Sequence, residues 1–229
     1  MDVGPDIASA AALIGDPARA AMLSLLLGGE AFPATVLAAR AGISAQTASV
    51  HLAKLTAGRL IVSERSGRYR LYRLADHKVA EAFEALAAIS PQHQPRSMRQ
   101  SDESKSLNLA RMCYDHLAGH LGVSITDMLV RRGVVAADER SYVVTRRGHA
   151  WLARFGVDVA QLRSARRKFA TQCLDWSERR PHIGGALGAA LADRVLGNGW
   201  CARRRANRGL NVSDAGWKAL RDHFGIVHV

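Results

Sequence analysis

Between Ile43 and Leu55 the chain places short polar side chains at Ser44, Gln46, Thr47 and Ser49, followed by His51 and Lys54. Donors and acceptors on such short stems suit a helix laid against base edges in a nucleic-acid groove. Leu52 and Leu55 give the same segment an apolar side to anchor it. Directly after it, Arg65, Arg68, Tyr69 and Arg70 cluster around a Ser66-Gly67 turn. Cations on such a turn can hold phosphates or enter the minor groove.

A second set of chemically capable residues lies further along. All three cysteines, Cys113, Cys173 and Cys201, are in the second half of the chain. Cys113, His116 and His120 recur at i, i+3 and i+7, which on a helix is one face. Cys-x-x-His-x-x-x-His could supply three ligands to a borderline metal such as Zn²⁺, with no fourth ligand in view. Cys173, Asp175, Trp176 and His182 surround Glu178 and paired arginines, and precede a small-residue helix. This second group could line a small-molecule pocket. If Cys113 and Cys173 met in space they would make a redox pair, although a free cysteine can equally serve as a small core residue. A metal ion, a small-molecule effector and an oxidant are thus all open, and no cofactor is required.

These residues need elements to hold them. Helices are expected over 8–14 and 17–27, the second started by Asp16-Pro17 and stopped by Gly28-Gly29. A short helix over 34–40 ends at Gly42, and Ser44 caps the next, 45–57, with Val50, Leu52 and Leu55 as its apolar candidates. Strands follow at 60–62 and 70–74, then a helix from Asp76 to about Ile89. The order is a helix-turn-helix followed by a wing. Residues 91–106 are polar, carry Pro91 and Pro95, and read as a linker between domains at 1–90 and 107–229. The second domain shows self-similarity between 127–157 and 193–226. Gly133-Val134-Val135 matches Gly199-Trp200-Cys201, Thr145 matches Ser213, Gly148 matches Gly216, and Phe155-Gly156-Val157 matches Phe224-Gly225-Ile226. The expected fold is mainly α with small β-hairpins (α+β). It consists of an N-terminal winged helix-turn-helix domain and a C-terminal helical domain of two repeated, winged-helix-like helix–hairpin–helix units, the latter domain suited to sensing a signal.

Composition agrees with a polyanionic partner. The 229 residues hold 32 Lys+Arg against 20 Asp+Glu, a net charge of +12, with 48% hydrophobic residues. The excess is uneven: residues 1–92 carry +1, and residues 93–229 carry +11. No apolar run is long enough to span a membrane, the acidic start lacks the basic region of a signal peptide, and three cysteines suit a reducing cytoplasm. No nucleophile elbow, phosphate loop, dinucleotide loop or metal-hydrolase motif is present, so an enzyme is not expected.

Over residues 6–90 the chain resembles the ArsR/SmtB winged helix-turn-helix regulators. The resemblance rests on Leu13-Ile14-Gly15-Asp16-Pro17-Ala18-Arg19, on Thr47-Ala48-Ser49-Val50-His51-Leu52-Ala53-Lys54-Leu55, and on the wing over 60–74. It implies a homodimeric repressor that holds double-stranded operator DNA and changes its grip when a signal arrives. Two departures matter. Arg59 stands where the family usually has Gly, and the Cys-x-Cys site of the founding members has no counterpart in Thr35-Val36-Leu37-Ala38-Ala39. No cysteine occurs before Cys113, so a thiolate site in the first domain is not expected. The alternatives are a metal- or thiol-responsive regulator using Cys113 and Cys173, or an architectural binder indifferent to sequence.

Overall fold

A computed structural model describes residues 4–91, 94–95 and 97–227, and none of its helices is long and apolar enough to cross a membrane. The chain divides into two compact units, Met1–Ala82 with Ala206–Arg208, and Phe83–Arg205 with Gly209–Val229.

In the first unit, α1 (Ile7–Ile14) is capped by Asp6 and α2 (Pro17–Leu26) by Asp16, which accepts the Arg19 N–H with Pro17 at the first helical position. Arg19 is nearly buried and donates to the carbonyls of Ala12 and Leu13 at the end of α1. A cation there satisfies carbonyls that the helix leaves open. After the short strand β1 (Phe32–Pro33) come α3 (Ala34–Ala41) and α4 (Ala45–Ala57). Gly42, with φ 66°, closes α3 in the left-handed conformation, and Ser44 caps α4 through the Thr47 N–H. The antiparallel pair β2 (Ile61–Ser66) and β3 (Tyr69–Leu74) runs in register from Ile61↔Leu74 to Ser66↔Tyr69, with β1 on the other side of β3. Met22, Leu23, Leu26, Leu37, Leu52, Leu55, Ile61 and Leu74 form the core. Ala48 takes the inward place on α4, whereas Val50, an apolar candidate above, is 53% exposed. The buried positions 48, 52 and 55 follow the helical period, and Val50 falls on the opposite face. The winged helix-turn-helix fold of this unit is thereby in place, and α5 (His77–Ile89) follows it.

The second unit is mixed helix and strand. From Phe83 in α5 it continues into α6 (Met98–Leu109), a helix over most of the 91–106 stretch read as a linker; residues 92, 93 and 96 lie outside the described residues. Ser97 caps the helix, and no proline or glycine interrupts it. The hairpin β4 (Arg111–Cys113) and β5 (His116–Ala118) turns at Tyr114-Asp115, with Tyr114 at φ 61°. It leads into α7 (Gly119–Arg131), the hairpin β6 (Val135–Asp138) and β7 (Ser141–Val144), and α8 (Arg146–Arg154) capped by Thr145. After α9 (Val159–Ser164), the hairpin β8 (Thr171–Leu174) and β9 (Pro181–Gly184) leads into α10 (Gly185–Gly197). The hairpin β10 (Cys201–Arg203) and β11 (Leu210–Val212) and then α11 (Asp214–Phe224), capped by Ser213, complete the unit. Hairpin, helix, hairpin and helix therefore occur twice in that order. One continuous core joins them, including Leu121, Leu129, Leu152, Leu187, Leu220 and Phe224.

Two glycines occupy matching places in α8 and α11. A Cβ on Gly148 would sit 1.9 Å from the Val134 carbonyl oxygen, and one on Gly216 would sit 2.0 Å from that of Trp200. Both helices are drawn against the backbone just before a strand, which leaves no room for a side chain. Gly148→Ala is expected to lower stability by about 1–3 kcal/mol or more, as overpacking against rigid backbone does. Gly197→Ala, in α10 with nothing within 4 Å of the added carbon, should be neutral or stabilising by up to about 1 kcal/mol. Urea unfolding of the two variants checks this contrast.

Candidate functional site

The first unit displays a polar helix face beside a basic wing. On α4, Gln46, Thr47, Ser49, Val50 and Lys54 are exposed. Ser44 also faces solvent, but its Oγ accepts the Thr47 N–H and lies 2.9 Å from the Thr47 hydroxyl, so it serves first as the cap. The Ser49 hydroxyl donates to the Ala45 carbonyl. That leaves Gln46 the longest neutral polar side chain of the face. His51 turns aside, with Nδ1 3.4 Å from the Arg19 guanidinium and 3.7 Å from an Asp16 oxygen. Arg65, Arg68, Tyr69 and Arg70 are all exposed around the β2–β3 turn, and the Arg68 guanidinium lies over the Tyr69 ring at 5.0 Å. Glu64, the acid nearest this turn on β2, is 3.6 Å from Arg73.

The second unit has a buried polar hub. Arg111 and Asp175 are both fully buried and joined at 2.9 Å. Arg111 also donates to the Leu107 carbonyl and the Ser177 hydroxyl, and its guanidinium lies 4.2 Å above the Trp176 ring. One Asp175 oxygen accepts from the Ser177 and Glu178 backbone and the Ser177 hydroxyl; the other accepts the Gly119 N–H at 2.7 Å. Burial alone would push the Asp175 carboxyl up, but Arg111 and these hydrogen bonds outweigh it and hold it well below the usual carboxylate range.

Beside the hub lie four potential metal ligands. Cys113, His116, Cys173 and His182 each bring one ligand atom to within 4.8 Å of all the others. The i, i+3, i+7 spacing predicts one helical face for Cys113, His116 and His120. Instead Cys113 and His116 are cross-strand partners in β4–β5, and Cys173 and His182 are partners in β8–β9. Tertiary partners decide this: Arg111 is held in its strand by Asp175, and the turn follows two residues after Arg111's neighbour Met112. His120 lies on α7, near Glu178 and Ser124 at 3.4 and 3.3 Å, and is not part of the cluster. The two sulfurs are 3.8 Å apart. Their contact and burial push the Cys113 thiol well up. Burial pushes His116 down, but the Cys113 sulfur and the Asp115 carboxylate push it up, and the net is upward. Burial alone lifts Cys201, outside the cluster, to about 12. Sequence reasoning missed Arg111 and Asp115. It also missed the pairing of His116 with His182, although the two stand 66 residues apart, as do Gly119 and Gly185.

A helix-turn-helix domain family matches residues 14–64. YdfF of Bacillus subtilis (strain 168), described as an uncharacterized HTH-type transcriptional regulator, is 41% identical over 224 residues, 98% of this chain and 99% of its own length. NolR from Sinorhizobium fredii is 25% identical over 39% of this chain and 95% of its own, with a TM-score of 0.35. The homodimeric winged helix-turn-helix DNA-binding domain of Mb0332 from Mycobacterium bovis, a possible ArsR-family regulator, is 23% identical over 42% of this chain and all of its own, with a TM-score of 0.34.

Removing one member of a buried ion pair strands the other. Asp175→Asn is expected to cost about 3–5 kcal/mol, because Arg111 would keep its buried charge and lose the carboxylate that stands 2.9 Å from it. Denaturant unfolding of the full chain, followed by tryptophan fluorescence, measures this loss.

Proposed function

Because this chain belongs to the HTH-type transcriptional regulators, we propose that it is an ArsR-like repressor, acting in the cytoplasm as a homodimer whose hold on operator DNA answers to a signal sensed in the second unit. The observation that carries the DNA-reading part is the exposed face of α4, with Gln46, Thr47, Ser49 and Val50, presented beside the wing arginines Arg65, Arg68 and Arg70. In this reading α4 enters the major groove. Gln46 pairs with an adenine edge, Val50 meets a thymine methyl group, and the wing holds phosphate. The Ser44 cap keeps the start of α4 rigid where it meets the bases. Support for the dimer comes from α1, an apolar helix with no buried residue, and from α5, where Leu86 and Ile89 are exposed. Such faces need a partner.

Residues 1–90 form the DNA-reading domain in this proposal, and the sensing domain starts with α6. The sensing domain is read as two copies of one hairpin–helix–hairpin–helix unit. The shared element order supports that, as do the equivalent caps Thr145 and Ser213 and the common φ of 74° at Gly119 and Gly185.

An operator recovered by genomic footprinting tests the reading. Gln46→Ala should weaken operator binding by about 1–3 kcal/mol and relax preference at one base position, whereas Arg68→Ala should weaken binding to every sequence and reduce the salt slope by about 1. Equal affinity for operator and random DNA at physiological salt would overturn it in favour of an architectural binder. Sedimentation equilibrium of the free chain should give a dimer.

A further inference from the structure

We propose that Cys113, His116, Cys173 and His182 form a Zn²⁺ site that clips the hairpins β4–β5 and β8–β9 together within the second unit. The site stands apart from the operator reading, since it uses no residue of α4 or the wing.

Four observations lead here. The first is the donor set. Two sulfurs and two imidazoles converge within 4.8 Å, and three of the four residues are buried. Tetrahedral bonds of ~2.3 Å set two thiolates ~3.8 Å apart, which is the Cys113–Cys173 separation of 3.8 Å; a disulfide would need ~2.05 Å. The second is symmetry of supply: each hairpin contributes one cysteine and one histidine at directly opposed strand positions.

The third observation concerns the imidazoles. Nδ1 of His116 lies 3.2 Å from an Asp115 oxygen, and Nδ1 of His182 lies 3.4 Å from an Asp175 oxygen. A carboxylate on one ring nitrogen orients the other toward a metal, so Nε2 is the ligand atom of His116, whose Nδ1 is taken by Asp115. His116 is nine-tenths buried, and its Nε2 has no hydrogen-bond partner among the described residues. Buried polar atoms are seldom left so, because the loss of water is uncompensated; a metal bond compensates it. The fourth is space. A Cβ on Gly184 would stand 3.2 and 3.3 Å from Cε1 and Nε2 of His116, so any side chain there would press on the cluster.

The donors select the ion. Two thiolates and two imidazoles at tetrahedral spacing suit Zn²⁺ and exclude the oxygen-seeking Ca²⁺ and Mg²⁺. With four protein ligands the site is closed and therefore structural. Cys173, the least buried ligand, gives the ion its way in. Binding replaces the protons on the two thiols by the metal, and no change of oxidation state is involved.

The full chain, purified under reducing conditions, is expected to hold one zinc per chain by elemental analysis. Chelation should lower its thermal midpoint, and added Zn²⁺ should restore it. Replacement by Co²⁺ should give the visible bands of a tetrahedral ion together with thiolate-to-cobalt charge transfer. Cys173→Ser should lower Zn²⁺ affinity at least about 100-fold and Asp115→Asn about 10–100-fold, while Cys201→Ser should bind as the unaltered chain does. Three results would each overturn the proposal: an unaltered chain that takes up no Zn²⁺ or Co²⁺, a cobalt adduct without thiolate bands, or equal affinity in the unaltered chain and Cys173→Ser. A Cys113–Cys173 disulfide formed on mild oxidation of a chain that binds no metal would mark the pair as a redox couple instead.

Discussion

Taking a guanidinium and a carboxylate out of water costs several kcal/mol for each ion, and Arg111 and Asp175 are both fully buried. The surrounding structure offsets that cost with an unusual concentration of partners. Arg111 reaches back to the Leu107 carbonyl in α6 and rests on Trp176; Asp175 fixes the turn after β8 and accepts the first N–H of α7. Elements far apart in the chain, at 107, 111, 119 and 175–178, are thereby tied to one point. Hydrophobic burial alone would draw hairpins and helices together without specifying their register. A pair whose members need one another specifies it. The same carboxylate stands 3.4 Å from His182, so the hub also sets the orientation of an imidazole in the four-residue cluster.

This arrangement changes how the basic excess of the second half is understood. Net charge suggests phosphate contacts, but several of these arginines are used internally. Arg111 pairs with Asp175, Arg167 with Asp115 and Arg180 with Asp127. Arg132 and Arg194 donate to the carbonyls of His223 and Phe155 near helix ends. Planar guanidinium groups suit such ties, since they satisfy several acceptors at once and shed water more readily than an ammonium. A count of cations therefore overstates what this half has available for DNA, and the DNA-reading surface lies in the half that is nearly neutral.

The parts legible in the sequence were those decided locally. Asp16-Pro17, Ser44 and the Ser66-Gly67 turn each act over a few residues, and the helices and strands they bound lie where those signals place them. Val50 is apolar yet points outward, and the period of Ala48, Leu52 and Leu55 is the better guide to the buried face of α4. α6 was hidden for the opposite reason. It buries no residue fully, so it has no apolar stripe to read, and its polar run looked like a linker. Cys113 and His116 were recognised as a pair but assigned to a helix, since a three-residue spacing also fits direct neighbours across a two-residue turn. The cluster itself was out of reach. It joins residues about 60 positions apart, and its geometry depends on Arg111 meeting Asp175.

If the cluster holds zinc, its closure limits what it can report. A metal with four protein ligands has no open position for an effector. A ligand shifts an equilibrium only by the difference in its affinity for the two states, and an ion bound equally in both would stabilise the unit without switching it. The carboxylates behind each imidazole favour that outcome, because they hold the rings in one orientation whether or not the ion is present. Switching would require the ion to be lost or a thiolate to be oxidised. Both events would free the two hairpins at the strand positions facing the Arg111–Asp175 pair, where the order of the whole unit is concentrated.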